Sequence, residues 1–247
     1  MKAQSRLSSN RLIKLLKHSI GPLSFVTLAM TLLPSITMAE TAPEPAAIAP
    51  VFNGADTAWI IMASAMVLFM LPGLALFYAG MVRSKNVLST MMHSFVAMGI
   101  VGVQWIVLGY TLSFGDDIGG GWLGKLNKLM LNGITPDTLF QFVATSPNAI
   151  PEYVFVAFQG MFAIITIALI SGAVAERIKF SAYCIFALVW TTLVYDPICH
   201  WVWGPSGWLL GMGALDFAGG TVVHLSSGIS ALALLMFLGK RHGFPTE

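Results

Sequence analysis

An all-α membrane protein with five transmembrane helices is the fold class that this sequence predicts, on three grounds. Of its 247 residues 56% are hydrophobic and only 10% charged, with a mean hydropathy of +0.79. One soluble core of that length cannot hide so much apolar surface, so lipid must solvate part of it. Five apolar stretches follow one another at 57–80, 87–113, 152–174, 180–203 and 216–239, each near the roughly 20 residues that a bilayer demands. Finally, these runs lack the alternation of barrel strands, and in hydrocarbon only helices or closed barrels satisfy every backbone polar group.

Ahead of the spans, residues 1–39 read as a signal peptide. Lys2, Arg6, Arg11, Lys14 and Lys17 form a basic region, Ile20 to Ile36 an apolar run, and Thr37-Met38-Ala39 a small-residue cleavage site. An uncleaved signal anchor is the alternative. Residues 40–54, with Pro43, Pro45 and Pro50 and no periodicity, read as an exported linker, and 55–247 as the membrane domain.

Basic residues orient the spans. Arg83 and Lys85 follow the first, Arg177 and Lys179 the third, and Lys240 and Arg241 the fifth, whereas 204–215 carries no charge. Those three ends are expected in the cytoplasm. The 114–150 loop and the mature N-terminus are then expected outside, which agrees with a cleaved signal. An odd number of spans makes any following copy of the unit enter the membrane inverted, the arrangement of many transporters. The chain is therefore expected to be the first half of an inverted repeat, with Lys240-Arg241-His242-Gly243-Phe244 as a mid-protein loop.

Other classes find little support. The net charge of +2 comes from small separated groups and does not suggest nucleic acid. Cys184 and Cys199 fall about 22 Å apart along one helix, too far to pair. No Cys/His cluster has zinc or iron–sulfur spacing, and no cofactor, metal or catalytic residue is assigned.

Polar groups at membrane depth are costly and usually functional, so they define the candidate site. Asp216 is expected to open the fifth helix within LDFAGGTVVH. As a cap it would satisfy orphan amides and suit the helix dipole; alternatively its charge also steadies a cation recruited just above. His224 would follow on the same side of that helix about 12 Å deeper. It is either a packing residue or a working one, and the small residues Gly219, Gly220, Ser226, Ser227, Gly228 and Ala231 around it favour close approach of a helix or a narrow conduit. Phe158 and Phe162 fall on one face of the third helix. Trp203 ends the fourth span. Packing rings and an interfacial belt residue would explain all three; so would a cation–π contact at Trp203 above a plug at Phe162.

The stretches FQGMFAIITIALISGAVAERIKFSA, YDPICHWVWGPSGWL and GALDFAGGTVVHLSSGISAL, with FYAGMVRSKNVLSTMM earlier, closely resemble ammonium transporters of the bacterial Amt type, over about residues 55 to 245. The resemblance implies that Trp203 is the periplasmic recruitment aromatic, Phe158 and Phe162 the rings above and at the outer gate, Asp216 the structural carboxylate beneath that vestibule, and His224 the first of two pore histidines. A recruitment serine, a second gate phenylalanine, the partner histidine and a regulatory C-terminal tail belong to the family's second half. The segment between Trp203 and Asp216 is one residue longer than in the family version. The implied activity is ammonium or methylammonium transport through a hydrophobic pore, by a homotrimer of the inner membrane that meets a PII-type regulator on its cytoplasmic face. An ammonium-sensing membrane protein of the same fold is the alternative, and a b-type haem protein using His93, His200 or His224 a remote one.

Overall fold

A computed structural model describes residues 48–142 and 145–241; the expected signal peptide and most of the expected linker lie outside them. Within that region five helices are long and apolar enough to cross a membrane. The chain enters on a short strand, β1 (Val51–Phe52). Asn53 then caps α1 (Gly54–Ala79), its side-chain oxygen accepting from the amides of Ala55 and Asp56 at 3.0 Å each, which are donors that a helix start leaves unpaired.

Helix α2 spans Ser84–Phe114 and includes one wide π turn at Trp105–Gly109. That turn lets the Trp105 indole donate to the Val156 carbonyl of the next helix at 3.0 Å. Its ring lies directly on Gly160, where an added Cβ would stand 2.9 Å from it. Between α2 and the next span the chain makes β2 (Leu139–Gln141) and β3 (Asn148–Pro151). β3 is the middle strand, parallel to β1 and antiparallel to β2. The expected linker thus ends in a strand, because its Val51 and Phe52 find open backbone partners in a loop that alternation alone does not mark as a sheet.

Helix α3 (Glu152–Ala173) is the hub: 67% of its apolar window is buried, against 11% for α1 and 22% for the last span. Small residues let neighbours reach its backbone, so Tyr78 of α1 packs its ring on Gly172 and donates to the Leu169 carbonyl at 2.9 Å. Helix α4 covers 180–203, again through a π turn, Thr191–Tyr195. Just beyond that turn Asp196, fully buried, accepts from Gln104 Nε2 of α2 at 2.6 Å. After it come the short α5 (Trp208–Gly211) and then α6 (Gly220–Leu238).

The last span departs from the expectation. It begins at Gly220, not at Asp216, because Gly219 takes a left-handed conformation (φ 88) that ends the preceding loop, and the first turn to follow is a π turn. An ideal α-helical offset from Asp216 to His224 therefore does not apply.

The loop ends are pinned by ions. At the end where α2 finishes and α3 starts, Tyr110 and Lys128 both donate to Glu152, at 2.7 and 2.6 Å. At the opposite end Glu176 accepts from Asn86 Nδ2 at 2.6 Å and from the side chain and amide of Arg83 at 3.1 and 3.2 Å, with Arg241 3.8 Å away. These bonds hold Glu176 in a left-handed backbone conformation (φ 60), which costs a non-glycine residue about 1–2 kcal/mol. The Asn86 hydrogen bond first, and Arg83 after it, push the carboxyl from its ordinary 4.5 down to about 2. A depressed carboxyl stabilises the fold above its unfolded value, and that contribution disappears as pH falls from 4.5 towards 2. Melting of the chain in detergent is expected to drop across that window, and Glu176→Gln to lower the melting point at neutral pH while flattening the acid-side slope. An unchanged slope in the variant would show that Glu176 does not govern it.

Candidate functional site

Asp216 is flanked by Leu215 and Phe217, both almost wholly exposed, so its own side chain turns inward. Its Oδ1 accepts from the amides of Gly219 and Gly220 at 2.7 Å each, and its Oδ2 from those of Thr221 and Val222 at 2.8 and 2.9 Å. A helix start leaves such amides unpaired. One carboxylate thus serves four donors and sits at the positive end of the α6 dipole. The cap function expected of Asp216 is present in this geometry, from outside the helix rather than at its first residue.

The Asp216 carbonyl also accepts from Trp203 Nε1 at 2.7 Å, and the Trp203 ring covers Gly219. This fixes the indole at the junction of α4 and α6. Its ring meets Phe162 edge-on at a centroid distance of 5.8 Å, and Phe162 meets Phe158 edge-on at 5.0 Å. The three rings form a continuous row from Trp203 at the end of α4, through Phe162, to Phe158 on one face of α3.

Below the row lies a cleft of 340 Å³ between α1, α3 and α6. Phe162, Ile165, Val223 and His224 contribute to it, and α1 supplies Met70, Leu74 and Phe77 around Gly73. His224 is carried on the π turn, where both its amide and that of Val223 donate to the Gly219 carbonyl at 2.9 Å. Its imidazole makes no hydrogen bond with the described residues, and with Gly220 and Gly228 it forms an exposed stripe along α6. The structure therefore brings together all five residues singled out from sequence: Phe162 and His224 line one cleft, Phe158 and Trp203 extend its aromatic mouth, and Asp216 holds the helix that carries His224.

Sequence reasoning missed the α1 wall. Its signal was the Pro72-Gly73 pair inside an otherwise uniform apolar helix, a place where a helix loses bulk on one face. It also passed over Asp196 and the partners of His200. The latter, fully buried, points Nδ1 at the Ser113 carbonyl (2.9 Å) and Nε2 at Asp117 (3.2 Å), which leaves neither nitrogen for iron. His93 lies at the other end of the bundle, edge-on to Phe180 and Tyr183. Among the described residues, His93 and His200 thus lie at opposite ends of the bundle and cannot form the opposed pair that haem ligation needs.

Comparison with known proteins agrees with the motif-based resemblance. The family model described as Ammonium Transporter Family matches residues 58–247. Ammonium transporters of Mycobacterium tuberculosis and Bacillus subtilis are 48% and 49% identical over 210 and 186 residues, covering 78% and 75% of this chain. The chain spans 44% of the length of either relative. Among solved structures, Candida albicans Mep2 superposes with a TM-score of 0.68 at 41% identity over 77% of this chain and 40% of its own. A protein described as a sensor Amt gives 0.67 at 30% identity over 75% and 44%. With a family model that spans all five apolar helices, and relatives of nearly half-identical sequence matched across three quarters of its length, the chain belongs to the ammonium transporter family.

Proposed function

We infer that this chain forms one wall of a path that moves ammonium nitrogen across a cell membrane, and that the path runs through the cleft below Phe162. The observation that carries this reading is the placement of His224 in an apolar cleft capped by a row of aromatic rings. Ammonium is mostly protonated at neutral pH, and a bare cation entering hydrocarbon pays many kcal/mol in desolvation. Potassium is of similar size, so a plain hole would leak. A site that attracts the cation at Trp203 by cation–π contact, then separates its proton from ammonia beneath Phe162, rejects potassium because potassium has no proton to give up. His224, whose imidazole can both take up and give off a proton, is the group beneath Phe162 that would accept that proton and pass it on.

The remaining wall would come from residues outside this chain, which spans under half the length of its relatives. The exposed stripe of Gly220, His224 and Gly228 is the surface such a partner would cover. Assembly of the whole protein as a trimer in the inner membrane, with the β1 end outside and PII-type control on the basic end, completes the proposal. A sensing role without flux is the second reading, favoured by the likeness to a sensor Amt. Methylammonium uptake separates the two.

In a completed protein, His224→Ala is expected to cut uptake by more than about tenfold while insertion and yield stay intact; normal flux in that variant would make His224 a packing residue. Asp216→Ala removes four amide partners and should cost roughly 2–5 kcal/mol, lowering both folded yield and flux more than Asp216→Glu does. Equal yield and flux in both variants would show that the cap is dispensable. Residues 1–247 expressed alone are expected to insert but to carry no methylammonium, and co-expression of the remaining length of a full-length relative as a separate chain should restore uptake. Saturable uptake by residues 1–247 alone would overturn the one-wall reading and point to a pore made by copies of this chain.

A further inference from the structure

A second cleft, polar where the first is apolar, occupies 390 Å³ at the end of the bundle where α2 and α4 begin. Its walls include Arg83, Lys85, Asn86, Thr90 and His93 from α2 and the turn before it, and Ser171 and Glu176 from the end of α3. The field there is positive. Arg177, Lys179, Lys240 and Arg241 belong to the same end, and the nearby carboxylate of Glu176 is already held by Asn86 and Arg83. Helix α2 adds the positive end of a long dipole, and neither Arg83 nor Asn86 caps it through a side chain.

His93 adds a feature of a different kind. It is 8% exposed, and its Nδ1 lies 2.6 Å from the Ser89 carbonyl. A carbonyl can only accept, so Nδ1 carries the hydrogen and Nε2 of the neutral ring is an acceptor. That Nε2 is shielded from solvent and has no hydrogen-bond partner, an arrangement that a ligand able to donate would complete. A cation could donate to it, but the surrounding charge repels cations. The ligand class that fits both conditions is an anion that still bears a proton.

We propose that the cleft beside His93 binds a phosphomonoester-type anion, whose P–OH donates to His93 Nε2 while its charged oxygens face Lys85, Arg83 and the start of α2. The same chemistry is presented by free inorganic phosphate and by the headgroup of a phosphomonoester lipid such as phosphatidic acid. The site is separate from the cleft below Phe162 and does not depend on the transport reading.

Calorimetric titration of the purified full chain in detergent tests this, with sodium phosphate compared against sodium sulfate at constant ionic strength near neutral pH. Phosphate is expected to bind saturably, and sulfate, which carries no proton at that pH, at least about tenfold more weakly. Lys85→Gln should weaken phosphate binding about tenfold. His93→Phe, which keeps the edge-on aromatic contacts, should erase the preference for phosphate over sulfate. Nanodiscs containing phosphatidic acid or phosphatidylglycerol form the second arm. Binding of the former lipid without free phosphate assigns the site to a headgroup, and binding of free phosphate assigns it to a soluble ligand. Equal affinity for phosphate and sulfate, or no saturable binding in either arm, would overturn the proposal, and should the His93 variant not fold, the anion comparison and Lys85→Gln decide alone.

Discussion

Four backbone amides converging on one carboxylate hold together the end of this half-bundle where α4 finishes and α6 starts. Without Asp216, α6 would begin with several unpaired donors beside a low-dielectric phase, where each costs on the order of 1–3 kcal/mol. The same residue, through its carbonyl, receives the indole hydrogen of Trp203. The start of α6, the end of α4 and the aromatic row on α3 are thus tied at a single point, and the position of His224 follows from it. The left-handed turn at Gly219 is what lets the chain fold back far enough for all four bonds to form. A side chain there would also strike Val223 at 2.7 Å.

A second constraint runs through the whole bundle. Backbone groups in lipid must be satisfied within the chain, and wide turns that keep their own hydrogen bonds are one departure from the α-helix that meets this condition. Three of these π turns occur among the described residues, in α2, α4 and at the start of α6. Such turns recur at functional positions because each rotates the following residues relative to those before. In α6 the turn redirects His224. In α2 it brings Trp105 onto α3, and in α4 it precedes Asp196, which meets Gln104 of α2.

Much of this was legible in the amino-acid sequence, for reasons that can be named. Length and hydropathy identify a membrane helix almost without context, so the five spans are found where the apolar runs lie. The candidate site residues were visible because a carboxylate, an imidazole and clustered aromatics stand out against apolar surroundings. What escaped detection depended on pairing between distant segments. Val51 and Phe52 look like linker until Asn148 and Ala149 lie beside them. Met70, Leu74 and Phe77 look like lipid-facing bulk until α3 and α6 form a cleft against them. The true start of α6 was hidden because a carboxylate three residues ahead of the cap mimics the cap itself.

The small sheet has a consequence for how the chain is threaded. Its central strand lies nearly a hundred residues after β1, and both α1 and α2 separate them along the chain. The two strands can meet only if α1 and α2 have crossed the bilayer in opposite directions and returned the chain to its starting side. Pairing therefore acts as a register check on insertion. A chain whose second span stalled, or entered the wrong way round, would leave the edges of β1 and β3 on opposite sides of the membrane, open to quality-control proteases instead of to each other.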